Sequence, residues 1–336
     1  MNWRPLPDPA KPQVPYFKGF KANISTHNPS CKLETRPKLL RGWLEKVTHS
    51  QLVLEYPPLE TPSPQHVRTA GLTILKTIDT WDGRGAQLGI CSIDDLSVTG
   101  GQFEVVAKIF DAFYYPFEDT FWNKPMDVTK MADEDYTREA TAYNRFVDKE
   151  LSGSAQPKYF GSWTFTLPFR QGDTTVQRPV RLVLIECLAG PSMYKIRQCD
   201  YNKDFRFETL AMLMDGITRQ EHIGVYHNDL SPRNTILVPW PQTNTPTEPL
   251  PRVVLIDYNM AEVRDPPGRA LPLNPMELFW RAPPLDFRCW IPIAFYEHRK
   301  LWQEWLVHRF GGEESRELYA SPTKELEFEE EEDDDD

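Results

Sequence analysis

Five apolar, largely β-branched runs punctuate the chain: Leu72–Ile78, Ile90–Ile93, Phe103–Phe110, Arg181–Leu188 and Val253–Ile256. Their length and composition predict strands. Helical spacing recurs four times. Leu40, Trp43, Leu44 and Val47 share a face within Pro37–Val47, and Glu139, Ala142 and Phe146 share one within Asp135–Phe146. Phe207, Leu210, Met214 and Ile217 define a longer helix over Phe205–Gly224, and Tyr296–Phe310 gives the last. Residues 1–66 are broken by repeated prolines and read as an extended or loosely folded arm carrying one short helix. A Pro- and Thr-rich insert, Pro239–Pro251, precedes the Val253 strand, and an acidic run, Glu327–Asp336, ends the sequence.

Chemistry concentrates in His227-Asn228-Asp229-Leu230-Ser231-Pro232-Arg233-Asn234 and in Asp257, at the end of the Val253–Ile256 run. A strand running into Asp257 would present that carboxylate beside the loop carrying Asp229 and Asn234. Oxygen ligands so placed suit Mg²⁺, which takes one or two carboxylates together with substrate phosphates. Asp229 would then be left to orient or deprotonate a hydroxyl. A hairpin with polar turn residues is the plainer reading of the same letters.

A second group lies upstream. Lys108 sits inside the apolar run Phe103–Phe110, where an ammonium is costly without a partner. Glu139, on the inward face of the Asp135–Phe146 helix, is the anion on offer. The alternatives are an edge-strand lysine reaching solvent and an ordinary solvated glutamate. Between the first two strand runs, Asp82-Gly83-Arg84-Gly85 forms a turn in which glycine would allow close backbone approach to a ligand.

His-x-Asp-x-x-x-x-Asn followed by a strand ending in Asp resembles the catalytic and metal loops of the protein-kinase-like superfamily, and is also similar to the loop of choline-type kinases. Trp280-Arg281-Ala282-Pro283-Pro284 resembles the end of a kinase activation segment. The resemblance implies an α+β bilobal fold: a small, mostly antiparallel β N-lobe with one key helix, and a mainly α, shortened C-lobe. It divides the chain into an arm (1–66), N-lobe (67–188), C-lobe (189–312) and acidic tail (313–336). It makes Asp229 the catalytic base, with Lys108 and Arg233 in support, and Asn234 and Asp257 the metal ligands. Gly83, Gly85, Lys108, Glu139, Glu186 and Leu188 become the nucleotide contacts, the last two through hinge backbone groups. ATP and Mg²⁺ are the implied cofactors. The implied activity is transfer of the ATP γ-phosphate to a protein Ser/Thr hydroxyl; a small-alcohol kinase and a pseudokinase scaffold are the alternatives. Asn228 stands where the family has arginine, Ser231 where a lysine is common, and Tyr258-Asn259 where Phe-Gly is usual.

Composition bounds the partners. Of 336 residues 40% are hydrophobic, ample for a large core, and the formal net charge of -11 argues against nucleic-acid or anionic-membrane binding. Five scattered cysteines without a Cys-x-x-Cys pair fit a reducing compartment. No apolar run reaches bilayer length and no signal-peptide core appears near Met1. A cytoplasmic or nuclear, non-secreted monomer acting on a protein or small-alcohol substrate is the resulting expectation.

Overall fold

The computed structural model describes residues 3–29, 37–95, 102–239, 250–322, 326 and 328. Cys31, most of the Pro239–Pro251 insert and nearly all of the acidic run Glu327–Asp336 lie outside them. The chain forms two compact units, one of residues 1–144 and 158–187, the other of residues 145–157 and 188–336.

The first unit is built on a barrel of six antiparallel strands. They are β1 (Lys21–Thr26), β2 (Thr69–Asp79), β3 (Gln87–Asp95), β4 (Gln102–Phe110), and the long hairpin β7 (Tyr159–Gln171) and β8 (Thr174–Glu186). Neighbours run β1-β2-β3-β4-β8-β7, and β7 returns to β1, with Ser25 opposite Thr164 and Thr26 opposite Trp163. Between β4 and β7 lie a two-residue ribbon, β5 (Glu118–Asp119) with β6 (Lys124–Pro125), and a long helix. Period-2 alternation places Val105, Ala107 and Ile109 on the core face of β4 beside Ile24, Leu72, Ile74, Leu182 and Leu184, all nearly inaccessible to water. Two short helices, α1 (Arg41–Leu44) and α2 (His49–Glu55), pack residues of the arm onto this core. Thr48 starts α2 with a capping box: its hydroxyl accepts the Gln51 amide, and the Gln51 side chain accepts the Thr48 amide. Helix α3 (Val128–Asp148) then carries the chain from the first unit into the second.

This architecture corrects the expected fold. A bilobal protein-kinase-like arrangement, with a small N-lobe sheet and a mainly α C-lobe, is not what the chain builds. The cause lies in the Pro-rich arm, read from sequence as loosely folded. Its residues Lys21–Thr26 pair with β2 on one side and β7 on the other and close the sheet on itself. Closure satisfies backbone groups that an edge would leave bare. The family resemblance drawn from the loop motifs falls with the fold it implied.

The second unit is mixed rather than mainly helical. Its helices are α4 (Lys203–His222), α5 (Pro275–Phe279), α6 (Ile293–Glu297), α7 (Arg299–Phe310) and α8 (Glu313–Leu318). Only α4, with 20 residues, and α7, with 12, exceed two turns. Two small ribbons accompany them: β9 (Val225–Tyr226) with β12 (Glu262–Val263), and β10 (Thr235–Val238) with β11 (Arg252–Leu255). Asn202 caps α4 by accepting the Phe205 amide, and Phe207, Leu210, Leu213, Met214 and Ile217 line its buried face. Among the described residues no helix is long and apolar enough to cross a membrane.

Candidate functional site

In the second unit, α4 hands the chain through β9 to the loop His227–Asn234, which leads straight into β10. The β10–β11 register sets the rest. Thr235 lies opposite Leu255, so the residues just outside the ribbon, Asn234 and Ile256, meet: the Ile256 amide donates to the Asn234 carbonyl at 2.9 Å. Asp257 follows directly. The spacing that sequence alone offered as suggestive is thus enforced by four paired residues and one more backbone hydrogen bond.

Asp229 is the hub of the loop. The Asn234 side-chain amide donates to its Oδ2 at 2.8 Å and to its main-chain oxygen at 2.9 Å. Arg233 Nη2 reaches Oδ1 at 2.9 Å and Oδ2 at 3.2 Å. The arginine side chain is 66% exposed and that of Asp229 29% exposed, so this ion pair adds at most about 1 kcal/mol to stability. Its effect is on the orientation of the carboxylate.

His227 has a role that sequence reading did not assign. The side chain is buried, with Nε2 donating to the Ile256 carbonyl at 2.9 Å and Nδ1 accepting the Asp229 amide at 3.3 Å. It therefore clips the Asp229 loop to the strand end that carries Asp257. Burial holds its pKa below the ordinary histidine value, opposed by the Ile256 hydrogen bond and by Asp257 and Asp229. The neutral tautomer with hydrogen on Nε2 satisfies both contacts at once. Tyr258 lies against the imidazole, ring centroids 4.7 Å apart. The signal available in sequence was the histidine two residues before an aspartate, inside an otherwise apolar entry to the loop.

Two non-glycine residues here adopt left-handed backbone: Asn228 at φ 58° and Asp257 at φ 69°. Asparagine tolerates that region; aspartate does so at some cost, and held outliers concentrate at working sites. Here the outlier fixes where the Asp257 carboxylate leaves the chain.

Asn234 and Asp257 supply one carboxamide and one carboxylate. With its NH₂ side turned to Asp229, the Asn234 amide directs its oxygen away from that carboxylate. Among the described residues no group of three or more His, Cys, Asp or Glu could hold a metal. Two hard oxygen donors remain compatible with Mg²⁺, which keeps several waters and takes phosphate oxygens as its other ligands.

The upstream residues belong to the first unit. Lys108 and Glu139 are both buried and form an ion pair, Nζ to Oε2 2.5 Å, on the face of β4 opposite Val105, Ala107 and Ile109. Lys108 Nζ also lies 5.7 Å from the Phe110 ring centroid. The turn Gly83–Gly85 has both glycines at positive φ, 86° and 90°. Their amides donate to the Tyr114 carbonyl, at 3.1 and 3.0 Å, so the two N–H groups that a phosphate cradle would need are engaged within the protein. Gln87, fully buried, braces the turn by donating to the Trp81 and Gly85 carbonyls. At the end of β8, the Glu186 amide donates to the Lys158 carbonyl at 2.8 Å while its carboxylate accepts the Lys158 amide. Leu188 opens the long stretch of the second unit. The Trp280–Pro284 segment directly follows α5, and α7 anchors it: Trp302 donates to the Phe279 carbonyl and Gln303 to that of Trp280.

The structure therefore gathers Asp229, Arg233, Asn234 and Asp257 at one loop–ribbon junction, and pairs Lys108 with Glu139 in the first unit. No protein-family model and no curated protein matches the chain.

Proposed function

We propose that the loop His227–Asn234 with Asp257 is the centre of a nucleotide-dependent phosphotransferase that delivers a phosphoryl group to an alcohol hydroxyl. The observation that supports it best is the three-way arrangement at Asp229. A carboxylate is held in place by a neighbouring amide, an arginine and a histidine-clipped backbone, and the same histidine bonds the Ile256 carbonyl, one residue before a second carboxylate, Asp257.

Asp229 orients the acceptor hydroxyl and takes its proton as the oxygen attacks the γ-phosphorus, while the bond to the bridging oxygen breaks and the nucleoside diphosphate leaves with that electron pair. Asn234 and Asp257 would hold Mg²⁺, which neutralises developing charge on the phosphate oxygens. Arg233, already on Asp229, keeps that carboxylate aimed. Such sites act through positioning and charge more than through covalent chemistry. A protein Ser/Thr is the first acceptor class to test, a small alcohol the second. Cys91, Cys187, Cys199 and Cys289 are free thiols, which suits the cytoplasm or nucleus.

A second reading, nucleotide binding without turnover, is favoured by one detail. Both Asp229 oxygens already carry hydrogen bonds from Arg233 and Asn234. The test is γ-phosphate transfer from ATP·Mg²⁺ to serine-containing peptides and small alcohols, run beside Asp229→Asn. Transfer that falls at least about a hundredfold in the variant supports catalysis. Thermal stabilisation by ATP·Mg²⁺ without transfer supports the binding reading. Neither effect in the full chain would refute both.

A further inference from the structure

The second unit contains a small cavity that the phosphotransferase reading does not use. It has a volume of about 160 Å³ and is lined by the last turns of α4, by Tyr226 of β9 and by the segment 264–273. That segment is tied down at both ends. The Arg264 amide donates to the Gly224 carbonyl at 2.8 Å, just beyond α4. At the far end Leu273 bridges Ala320, whose amide donates to the Pro272 carbonyl at 2.7 Å. Pro266 and Pro267 restrict the backbone between these anchors.

Glu221 and His222, at the end of α4, and Arg269, on the segment, all line the cavity. Among the described residues none of these side chains has a hydrogen-bond or salt-bridge partner. Glu221 is half-buried, and burial raises its carboxyl above the ordinary carboxylate value with no cation to offset the effect. Burial lowers the His222 pKa and Arg269 adds to that shift, so the imidazole is uncharged at neutral pH. The other polar groups of the wall are engaged. The Thr218 hydroxyl donates to the Asp215 carbonyl at 3.0 Å. The Tyr226 ring lies 4.7 Å from the Arg264 guanidinium, which itself pairs with Glu262.

One negative and one positive group therefore face the cavity, and they are not within salt-bridge distance of each other. A simple anion would satisfy Arg269 and meet repulsion from Glu221; a simple cation would meet the reverse. One carboxylate and one imidazole fall short of a metal site. The volume lies below the roughly 300 Å³ at which drug-sized sites begin, so the occupant must be compact. Pro267 and Leu273 supply apolar surface for a short carbon frame.

We propose that this cavity binds a small zwitterion, an amino acid whose carboxylate meets Arg269 and whose ammonium meets Glu221. The proposal rests on these residues and stands or falls independently of the phosphotransferase reading. Glycine, β-alanine and γ-aminobutyrate carry the same two charges at increasing separation, whereas propionate and propylamine carry one each. Calorimetric titration of the full chain should give saturable binding of at least one of the amino acids, with propionate and propylamine at least about tenfold weaker. Glu221→Gln and Arg269→Gln each remove one charge and keep a polar side chain, and each should weaken binding of that amino acid at least about tenfold. Neither residue holds a side-chain partner in the fold, so both variants should unfold at the urea midpoint of the parent chain. Saturable binding of none of the amino acids, propionate or propylamine binding as tightly as the best of them, or an unchanged affinity in either variant would each overturn the proposal.

Discussion

Asp229 illustrates how a single carboxylate is prepared by its neighbours. Asn234, Arg233 and the His227 clip reach it from three directions, and each can be removed separately. Arg233→Ala leaves the fold intact because the pair is exposed, so it should slow turnover far more than it weakens ATP binding; steady-state kcat and KM against a calorimetric ATP affinity separate the two. Lys108 behaves differently. Removing one member of a buried ion pair takes away the other's counter-charge, so Lys108→Met should cost about 3–5 kcal/mol in urea unfolding, and the double variant Lys108→Met/Glu139→Leu less than the single one. His49 supplies a pH dependence. It is stacked on Phe113 and Phe117, it donates from Nε2 to the Ala112 carbonyl, and its pKa is pushed down to about 4 by burial, with Lys11 adding to the effect. Between that value and the ordinary 6.5 the unfolded chain binds more protons than the folded one. Stability must therefore fall as pH drops through this window. His49→Gln, which retains a donor for Ala112, should reduce the fall of the urea midpoint between pH 7 and pH 4.5, read at about half-unit steps, leaving the share contributed by His27 and His227.

At the scale of elements, the decisive piece is β1. A six-residue strand from a Pro-rich stretch completes the barrel, and Ile24 at its middle is 1% exposed. Ile24→Ala should cost about 2–5 kcal/mol, and Ile24→Asp should abolish cooperative unfolding of the first unit, measured by near-ultraviolet circular dichroism. The ribbon β9–β12 depends on Gly224, at φ 81°, where an added Cβ would run into the Arg264 carbonyl. Gly224→Ala combines a left-handed backbone with that collision and should destabilise by about 2 kcal/mol or more, checked by thermal unfolding. Helix α2 carries its start signal in the sequence. Thr48-His49-Ser50-Gln51 spells a capping box, yet the upstream apolar spacing drew the predicted helix to Pro37–Val47, of which only Arg41–Leu44 is helical.

For the molecule as a whole, local pattern and long-range pairing divided the work. The strands β2, β3, β4, β8 and β11 and the helices α3, α4 and α7 all follow from apolar periodicity, because side-chain burial along one element repeats every two or about 3.6 residues whatever lies across from it. The nearness of Asp229, Asn234 and Asp257 was likewise readable, since a short loop and a strand end leave those residues few places to go. What the order of residues could not convey was closure. Whether β1 lies free or bonds to both β2 and β7 depends on partners about 45 and 140 residues away, and nothing in six half-polar residues announces such pairing. The same is true of the Gly83–Gly85 turn, whose amides reach the Tyr114 carbonyl instead of facing outward. Apolar periodicity marked many of the strands and helices and set off the polar loop His227–Asn234; the barrel, the clip made by His227 and the buried pairing of Asp111 with Arg178 were decided by tertiary contacts, because hydrogen bonds between distant segments are selected by the assembled geometry and leave no periodic trace along the chain.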